Sequence, residues 1–216
     1  MLTRLLFTTF NNIGALSRRN DDFARASRPF DRDRDGFVYG EGATAMVLWT
    51  ESHAQTRGAR IYAELVGGAL TSDAHHITAP DSEGNGARGA MTKALRSAKL
   101  NEADINVVFA HGTSTPLNDA TETRAIKAVL GRHAHKPAIS GTKFMTGQLI
   151  GAAGALSAVT AAFAIHDAIV PPMINPENQD LACDLDYVQN VARRMPVQTA
   201  MVSAFGLGGQ NVVTVP

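Results

Sequence analysis

INVVFAHGTSTPLNDATETRAIKAVLG, residues 105–131, is the stretch that decides the fold. Residues 105–110 form a continuous apolar run, which is typical of a strand buried on both faces. A polar loop follows this run, and residues 119–131 then predict a helix that ends at Gly131. A buried strand that leads through a short loop into a helix indicates an α/β fold.

Similar strand and helix patterns recur on both sides of this stretch. Residues 1–36 show little periodicity, and we predict that they are irregular. Strands that alternate with helices favour a layered α/β fold in which helices flank a mixed sheet. We predict strands at 36–49, 61–70, 137–140, 199–206 and 210–215, and helices at 51–58, 86–100 and 148–165.

Polar or glycine-rich segments follow three of the predicted strands. His111 follows the first, Lys143 and Gln148 follow the second, and a glycine turn at 206–209 follows the third. Ligands of α/β sheets gather at the carboxyl ends of strands. If these three strands are neighbours, we expect the three segments to converge on one pocket.

Composition excludes several classes of function. The formal net charge of zero argues against a general nucleic-acid binder. Cys183 is the one cysteine, so no internal disulfide forms and a reducing compartment is favoured. The apolar run 149–165 is about one turn short of the ~20 residues that span a bilayer, and we interpret it as a buried helix. With no signal-peptide pattern at the start, we expect a cytoplasmic protein that binds no membrane.

Several motifs resemble sites without completing them. DRDRDG, residues 31–36, resembles the start of a calcium loop, but Gly42 stands where the bidentate glutamate belongs, and we interpret the segment as a charged surface turn. His75 and His76 are adjacent and have no third ligand at a zinc-like spacing. Cys183 lies among acidic residues that oppose thiolate formation, which favours an inert thiol over a nucleophile.

The pattern leaves the role of His111 open. A histidine at the end of a strand can hydrogen-bond a substrate carbonyl or carry a proton. It can equally be a capping residue whose ring nitrogens are satisfied locally. Lys143, in a glycine-flanked loop before an apolar helix, is expected to be partly buried and to need a partner or a role.

Seven motifs in register resemble the β-ketoacyl-acyl-carrier-protein synthases, and most closely the synthase II class of fatty-acid and type II polyketide pathways. The resemblance covers the chain from about residue 11 to residue 215. It implies a thiolase-like fold of two similar α/β lobes, usually in a homodimer, and a decarboxylative condensation of an acyl thioester with malonyl-carrier protein. The motifs are DRDRDGFVYGEGATAMVL, DAHHITAP, AHGTSTPLNDATET, GTKFMTGQLIGAAGA, VPPMINPEN, CDLDYV and SAFGLGGQN.

The resemblance also implies roles for individual residues. His111 matches the first active-site histidine and Lys143 matches the family's lysine, whereas Gln148 occupies the place of the second histidine. Thr113 and Thr115 match threonines that hold the pantetheine arm, which acyl carrier protein delivers, so no separate cofactor is expected.

Phe205 and Leu207 match the mobile loop after the last active-site strand, where the second position is usually phenylalanine. Ser157 stands where the family has a glutamate. Relative to the family, we expect the lobe that carries the nucleophilic cysteine to be largely absent from these residues. We therefore assign residues 1–36 to a remnant of that lobe and its connection, and residues 37–216 to the C-terminal ketosynthase domain.

Three functions remain open at this stage. The chain is a synthase that becomes active when a cysteine-bearing chain completes it, a non-catalytic subunit similar to a chain-length factor, or a relic. Half of a two-lobed fold exposes the apolar face that the other lobe would cover. We therefore expect the chain to be weakly stable alone, or to pair as a homodimer or with a complementary ketosynthase chain. Carrier proteins of this family are acidic, and an arginine-rich segment is a candidate contact for them. Its alternative is a solvated turn, and its arginines are at positions 18, 19, 25, 28, 32 and 34.

Overall fold

The computed structural model describes residues 2–216 and contains two sheets. The main sheet has five strands in the order β1-β7-β6-β2-β3, and β4 and β5 form a separate pair. The strands are β1 (Gly67–Ser72), β2 (Val107–Phe109), β3 (Ala138–Ser140), β4 (Ile169–Val170), β5 (Arg193–Arg194), β6 (Ala200–Gly206) and β7 (Gln210–Val215).

Six α-helices accompany the sheets. They are α1 (Arg4–Asn12), α2 (Glu51–Thr56), α3 (Asn85–Ala98), α4 (Pro116–Leu130), α5 (Lys143–Thr146) and α6 (Ala153–Asp167). Short 3-10 turns lie at Phe23–Arg25, Glu102–Asp104, Gly131–His133 and Ile150–Ala152.

The main sheet is mixed, as the sequence predicts. β2 runs parallel to both β3 and β6, with Val108 opposite Ile139 on one side and Met201 on the other. β6 and β7 form an antiparallel hairpin, and β1 adds to the outer edge of β7. The ends of β2, β3 and β6 are therefore neighbours, which is the condition for the predicted convergence.

Helices cover both faces of this sheet. Ala90, Met91 and Ala94 of α3 share a core with Ile126 of α4 and with Val108. On the other face, Ala161 and Ala164 of α6 pack with the strand residues Val107, Phe109 and Val202. Successive strand residues point to opposite faces, which explains why the whole of β2 is apolar.

Two of the predicted strands are wrong in extent. Residues 36–49 form no strand, and only isolated bridges from Phe37 to Leu16 and from Tyr39 to Gln148 occur there. The strand predicted at 61–70 is paired only from Gly67 onward. A strand needs a backbone partner, and Val47 and Leu48 are 80% and 68% exposed with no strand beside them in the described chain.

The predicted buried helix 148–165 is buried on one side only. It begins with the turn at Ile150–Ala152 and continues as α6, in which Ala153, Ser157, Ala161 and Ala164 are buried. Residues 150–167 are long and apolar enough to cross a membrane by length and composition alone. Their contacts with the sheet identify a core helix whose outer side remains partly exposed.

The N-terminal segment is more ordered than the sequence indicates. α1 begins at Arg4, and Thr3 caps it by accepting a hydrogen bond from the backbone N–H of Leu6. The interpretation of 31–36 as a surface turn is wrong at two positions, because Asp31 and Arg34 are buried. Residue 1 of the predicted 1–36 unit lies outside the described residues, and the division at residue 36 stays a prediction.

Candidate active site

A pocket of about 540 Å³ lies where the ends of β2 and β6 meet the segment around Gln148, which follows β3 and α5 along the chain. Its wall includes the predicted site residues His111, Thr113, Thr115, Gln148, Phe205 and Leu207. Lys143 does not line the pocket and is buried at the start of α5. The structure therefore brings six of the seven predicted residues to one cavity and places the seventh inside the protein.

A hydrogen bond to its backbone N–H holds His111 in place, while one nitrogen of its ring has no hydrogen-bond partner in the described chain. Its N–H donates to Oε1 of Glu122 at 2.7 Å, and its ring centroid lies 5.4 Å from that of Phe205. The ring atom Nδ1 is buried and has no hydrogen-bond partner among the described residues. This observation argues against a capping residue with satisfied ring nitrogens. Burial, together with the charge of Lys143, lowers the pKa of His111 well below its usual value, so the imidazole is neutral near pH 7.

Two buried carboxylates hold the loop that carries His111. Oε2 of Glu122 accepts a hydrogen bond from the N–H of Gly112 at 2.9 Å, in addition to the bond from His111. Oδ1 of Asp119 accepts from the N–H of Thr113 at 3.1 Å. Three successive backbone donors of residues 111–113 are thus satisfied by α4, which begins with Thr115 as its cap and Pro116 in its first turn. The helix predicted from 119 therefore starts three residues earlier.

The loop conformation also depends on close backbone approach. Gly112 has a φ of +38°, and a Cβ at this position would lie 2.9 Å from the ring of Phe30. The backbone N–H of Phe30 donates to Oδ2 of Asp119 at 2.8 Å. A side chain at residue 112 would push the loop away from its carboxylate anchors.

Arg34 ties the N-terminal segment to the start of α4. Its guanidinium donates to the carbonyl oxygens of Thr115 at 3.2 Å and Pro116 at 3.1 Å, and lies 3.8 Å from Asp119. Asp31 accepts hydrogen bonds from the backbone N–H groups of Glu177 and Asn178 at 2.7 Å each. Asp31 and Arg34 of the DRDRDG segment therefore hold other segments in place, while Arg32, Asp33 and Asp35 of the same segment are exposed.

Lys143 and Glu122 are buried groups of opposite charge that act on each other electrostatically, with no direct ion pair between these two described residues. Burial lowers the pKa of Lys143 to about 8, although the charges of Glu122 and Asp119 oppose that shift. Burial raises the pKa of Glu122 to about 7. The expectation that Lys143 is buried is confirmed, and the charge that acts on it most strongly belongs to Glu122, a residue that the sequence analysis did not select.

The lowered pKa of Lys143 predicts how stability changes with pH. The side chain of Lys143 titrates near 10.5 in the unfolded chain and at about 8 in the folded chain. The folded chain is therefore most stable above pH 10.5, loses stability as the pH falls from 10.5 to about 8, and loses little more below that. From pH 7.5 to 10, we expect the unfolding free energy of the wild type to rise by roughly 2 kcal/mol relative to Lys143→Met. Urea unfolding at both pH values measures this difference. A difference that does not change with pH would contradict the assignment of a buried lysine.

Gln148 is clamped by the segment 38–40. Its N–H donates to the carbonyl of Val38 at 2.7 Å, and its carbonyl accepts from the N–H of Gly40 at 3.1 Å. Gly147, with a φ of +72°, and Gly40 lie too close together to admit a Cβ on either residue. The side-chain Oε1 of Gln148 is buried and has no hydrogen-bond partner among residues 2–216. A fixed backbone thus holds an unsatisfied amide at the pocket wall.

The hydroxyl groups of Thr113 and Thr115 belong to residues that line the same pocket as Gln148 and His111. The side-chain oxygens of Thr113 and Thr115 are 3.1 Å apart, and Thr115 also caps α4. Phe205 is partly buried at the end of β6, whereas Leu207 is 52% exposed in the turn between β6 and β7. The site combines a neutral imidazole, an amide and hydroxyl groups with apolar walls, which suits a polar chain attached to an acyl group.

Comparison with protein families agrees with this arrangement. The family model described as "Beta-ketoacyl synthase, C-terminal domain" matches residues 62–177, and the model of the N-terminal domain matches residues 1–54. The chain belongs to the β-ketoacyl synthase family. Its fold is therefore thiolase-like, as the resemblance implies, with a mixed sheet between helices.

Individual relatives support the family assignment. The 3-oxoacyl-[acyl-carrier-protein] synthase 2 of Synechocystis is 51% identical over 98% of this chain and 51% of its own length. A type II polyketide ketosynthase, solved with its acyl-carrier protein and bound to a hexaketide, superposes with a TM-score of 0.97 at 38% identity, over 99% of this chain and 53% of that chain. The ishigamide ketosynthase/chain length factor gives a TM-score of 0.92 at 37% identity, over 99% of this chain and 51% of that chain. The chain spans about half the length of the curated relatives that it matches.

Two further residues of this β-ketoacyl synthase chain have no direct part in the pocket wall. Burial raises the pKa of the Cys183 thiol to about 11, which is consistent with an inert thiol. Ser157, which stands where the family has a glutamate, is buried on α6 with a side-chain oxygen that has no partner in the described part of the chain.

Proposed function

We propose that the chain is the carrier-facing half of a β-ketoacyl-acyl-carrier-protein synthase, which condenses an acyl thioester with malonyl-carrier protein and releases CO₂. One observation carries the proposal. His111 and Gln148 each present a buried side-chain atom with no partner at the same pocket, beside the hydroxyl groups of Thr113 and Thr115. Buried polar atoms are normally hydrogen-bonded, so the unpartnered Nδ1 of His111 supports a ligand at this pocket. A 180° flip of the Gln148 amide would place its NH₂ group, a donor, where Oε1 now lies.

The reaction that we propose uses the neutral imidazole as a donor. The malonyl thioester carbonyl accepts hydrogen bonds from the ring of His111 and from the amide NH₂ of Gln148. The bond to the carboxylate breaks, CO₂ leaves, and the electron pair passes into an enolate whose oxygen the two donors stabilise. The α-carbon then attacks an acyl thioester, a new carbon–carbon bond forms, and a thiolate leaves.

The thiolate in this scheme does not come from Cys183, because that thiol is buried and has a raised pKa. We therefore propose that a cysteine-bearing half supplies the nucleophile. The hydroxyl groups of Thr113 and Thr115 hold the pantetheine arm, and Phe205 and Leu207 border its path. We also propose a cytoplasmic location, because carrier-protein chemistry in this family uses reduced thiols.

A complementation assay tests this proposal. Condensation of malonyl-carrier protein with an acyl thioester is measured for the chain alone and for the chain mixed with a cysteine-bearing ketosynthase half. We expect condensation only in the mixture, because covalent catalysis needs an attacking group. Inactivity of the mixture, with carrier protein still bound, would overturn the enzymatic proposal.

A second function is favoured by two specific residues. Gln148 cannot take up a proton near neutral pH, and Ser157 has no carboxylate to offer. A non-catalytic subunit that binds carrier protein or a ketosynthase partner, in the manner of a chain-length factor, tolerates both. Exposed apolar side chains at Val47, Leu48 and Leu65 provide a surface for such a partner or for a second copy of this chain.

Carrier protein is expected to contact the arginines at the N-terminal side of the pocket. Arg28 and Arg34 are buried, so these two do not serve as contacts. Arg25 and Arg32 are exposed and pair with Glu177 and Asp33. Arg18 is exposed, and Arg19 is partly exposed and lies 3.8 Å from Asp22.

We expect the double reversal Arg18→Glu/Arg19→Glu to weaken carrier-protein binding about 10-fold at low salt, since rim charges act through steering and are screened by salt. Calorimetry with purified acyl carrier protein measures the affinity. Arg96→Glu, on the exposed side of α3, is the matched control. Equal affinity of the double variant and the wild type would remove these arginines from the proposed contact.

A further inference from the structure

The backbone of Ile150 is strained. Its φ is +54°, in the left-handed region that a β-branched side chain rarely adopts. Among the non-glycine residues of 2–216 with positive φ, Ile150 is the only β-branched one. Lys99 and Ala168 share this conformation because they end α3 and α6, where a left-handed residue is common. No such cap explains Ile150, which begins the turn before α6.

The next residue in the chain is a glycine, but it does not occupy the position with the strained backbone. Gly151 follows directly, its φ lies outside the left-handed region, and a Cβ built there would meet no heavy atom within 4 Å. The reverse order, glycine before isoleucine, would relax the backbone. The isoleucine side chain is therefore held at a position that disfavours it, which points to a role for that side chain.

The Ile150 side chain lies on the wall of the pocket and is 43% exposed. Gln148, two residues earlier, lines the same pocket, and its backbone is bonded on both sides to segment 38–40. These two backbone hydrogen bonds fix the position of Gln148 and therefore the position from which the chain continues to Ile150. A branched apolar group is thereby presented beside the amide that, in the proposed reaction, donates to the thioester carbonyl.

We propose that Ile150 is a specificity-determining residue, which narrows the pocket beside the thioester carbonyl and disfavours substrates that branch at the adjacent carbon. This inference rests on the proposed function, because it takes the pocket to hold a malonyl thioester. The substrate class that it selects is the unbranched malonyl thioester over its 2-methyl homologue. One methyl group at a shaped apolar wall changes selectivity by about 10-fold or more.

Binding to the chain itself tests the inference. Calorimetry compares malonyl-pantetheine and 2-methylmalonyl-pantetheine amides, in which nitrogen replaces the thioester sulfur. We expect the wild type to prefer the unbranched amide by ~10-fold, and Ile150→Gly to bind both within about 2-fold. The same variant should melt at a higher temperature, since glycine relieves the positive φ.

Two controls separate specificity from stability. Ala168→Gly relieves a positive φ at an exposed position after α6, so it should raise the melting temperature and leave the selectivity unchanged. Ile150→Ala should lose selectivity with less gain in stability. If Ile150→Gly keeps the wild-type preference while binding both amides, the inference is overturned and the proposed function stands. If neither amide binds to the wild type, both are overturned.

Discussion

Replacing His111 with alanine should lower the rate of malonyl-thioester decarboxylation by about 10²–10³-fold in the chain completed by a cysteine-bearing half. The imidazole is the donor best placed for the developing enolate oxygen, because its ring is buried, neutral and unsatisfied at Nδ1. The backbone of residue 111 is held by Glu122 through its N–H, which alanine retains. The loss should therefore be larger in the rate than in the unfolding free energy, to which the lost ring contact with Phe205 contributes.

His135→Ala is the matched control, since His135 is exposed and does not line the pocket. We expect it to leave the rate unchanged. Because the pKa of His111 lies well below its usual value, protonation of this imidazole should not lower the decarboxylation rate of the wild type between pH 8 and 6. A His111→Ala variant with the wild-type rate would contradict the role of the imidazole.

Replacing Glu122 with alanine should destabilise the chain by about 3 kcal/mol. The substitution leaves the backbone N–H groups of His111 and Gly112 buried without an acceptor, at roughly 1–3 kcal/mol each. Removal of a carboxylate whose ionisation is disfavoured by burial offsets part of this loss. Lys143 also loses the opposite charge that raises its pKa most, which adds to the loss.

Urea unfolding of two further variants defines the cause. Glu122→Gln keeps one oxygen acceptor but turns an NH₂ group toward the second N–H, so an intermediate stability is expected. Glu102→Ala, at an exposed position before β2, should change the unfolding free energy by less than about 0.5 kcal/mol. An alanine variant at position 122 that is as stable as the wild type would contradict the anchoring of the loop.

The local sequence pattern was sufficient to predict an element where residues close by in the sequence stabilise that element. The hairpin of β6 and β7 follows from two apolar strands around a glycine turn, and Gly208 and Gly209 indeed have positive φ values. α3 follows from its apolar stripe. The strand predicted at 36–49 is wrong because its β-branched and aromatic residues indicate propensity only, whereas pairing depends on a partner strand.

The charged residues of the site were harder to interpret from sequence. Asp119 and Glu122 lie three apart in a helical pattern, a spacing that is typical of a solvated face. Their burial results from the loop 111–113, which folds back over the first turns of α4. The arginine-rich sequence likewise gives no sign that Arg34 is buried against the start of α4. One signal was present: two acids directly after a buried strand and a glycine-containing loop can accept that loop's backbone N–H groups.

Histidine-selective NMR of the chain tests the central claim most directly. The protein is labelled with ¹⁵N in its histidine rings and titrated with malonyl-pantetheine amide, which needs no nucleophile to bind. We predict that the His111 ring resonances shift with saturable amplitude, while those of exposed His135 stay in place. If the amide binds without moving the His111 resonances, or does not bind, the pocket is not the malonyl site.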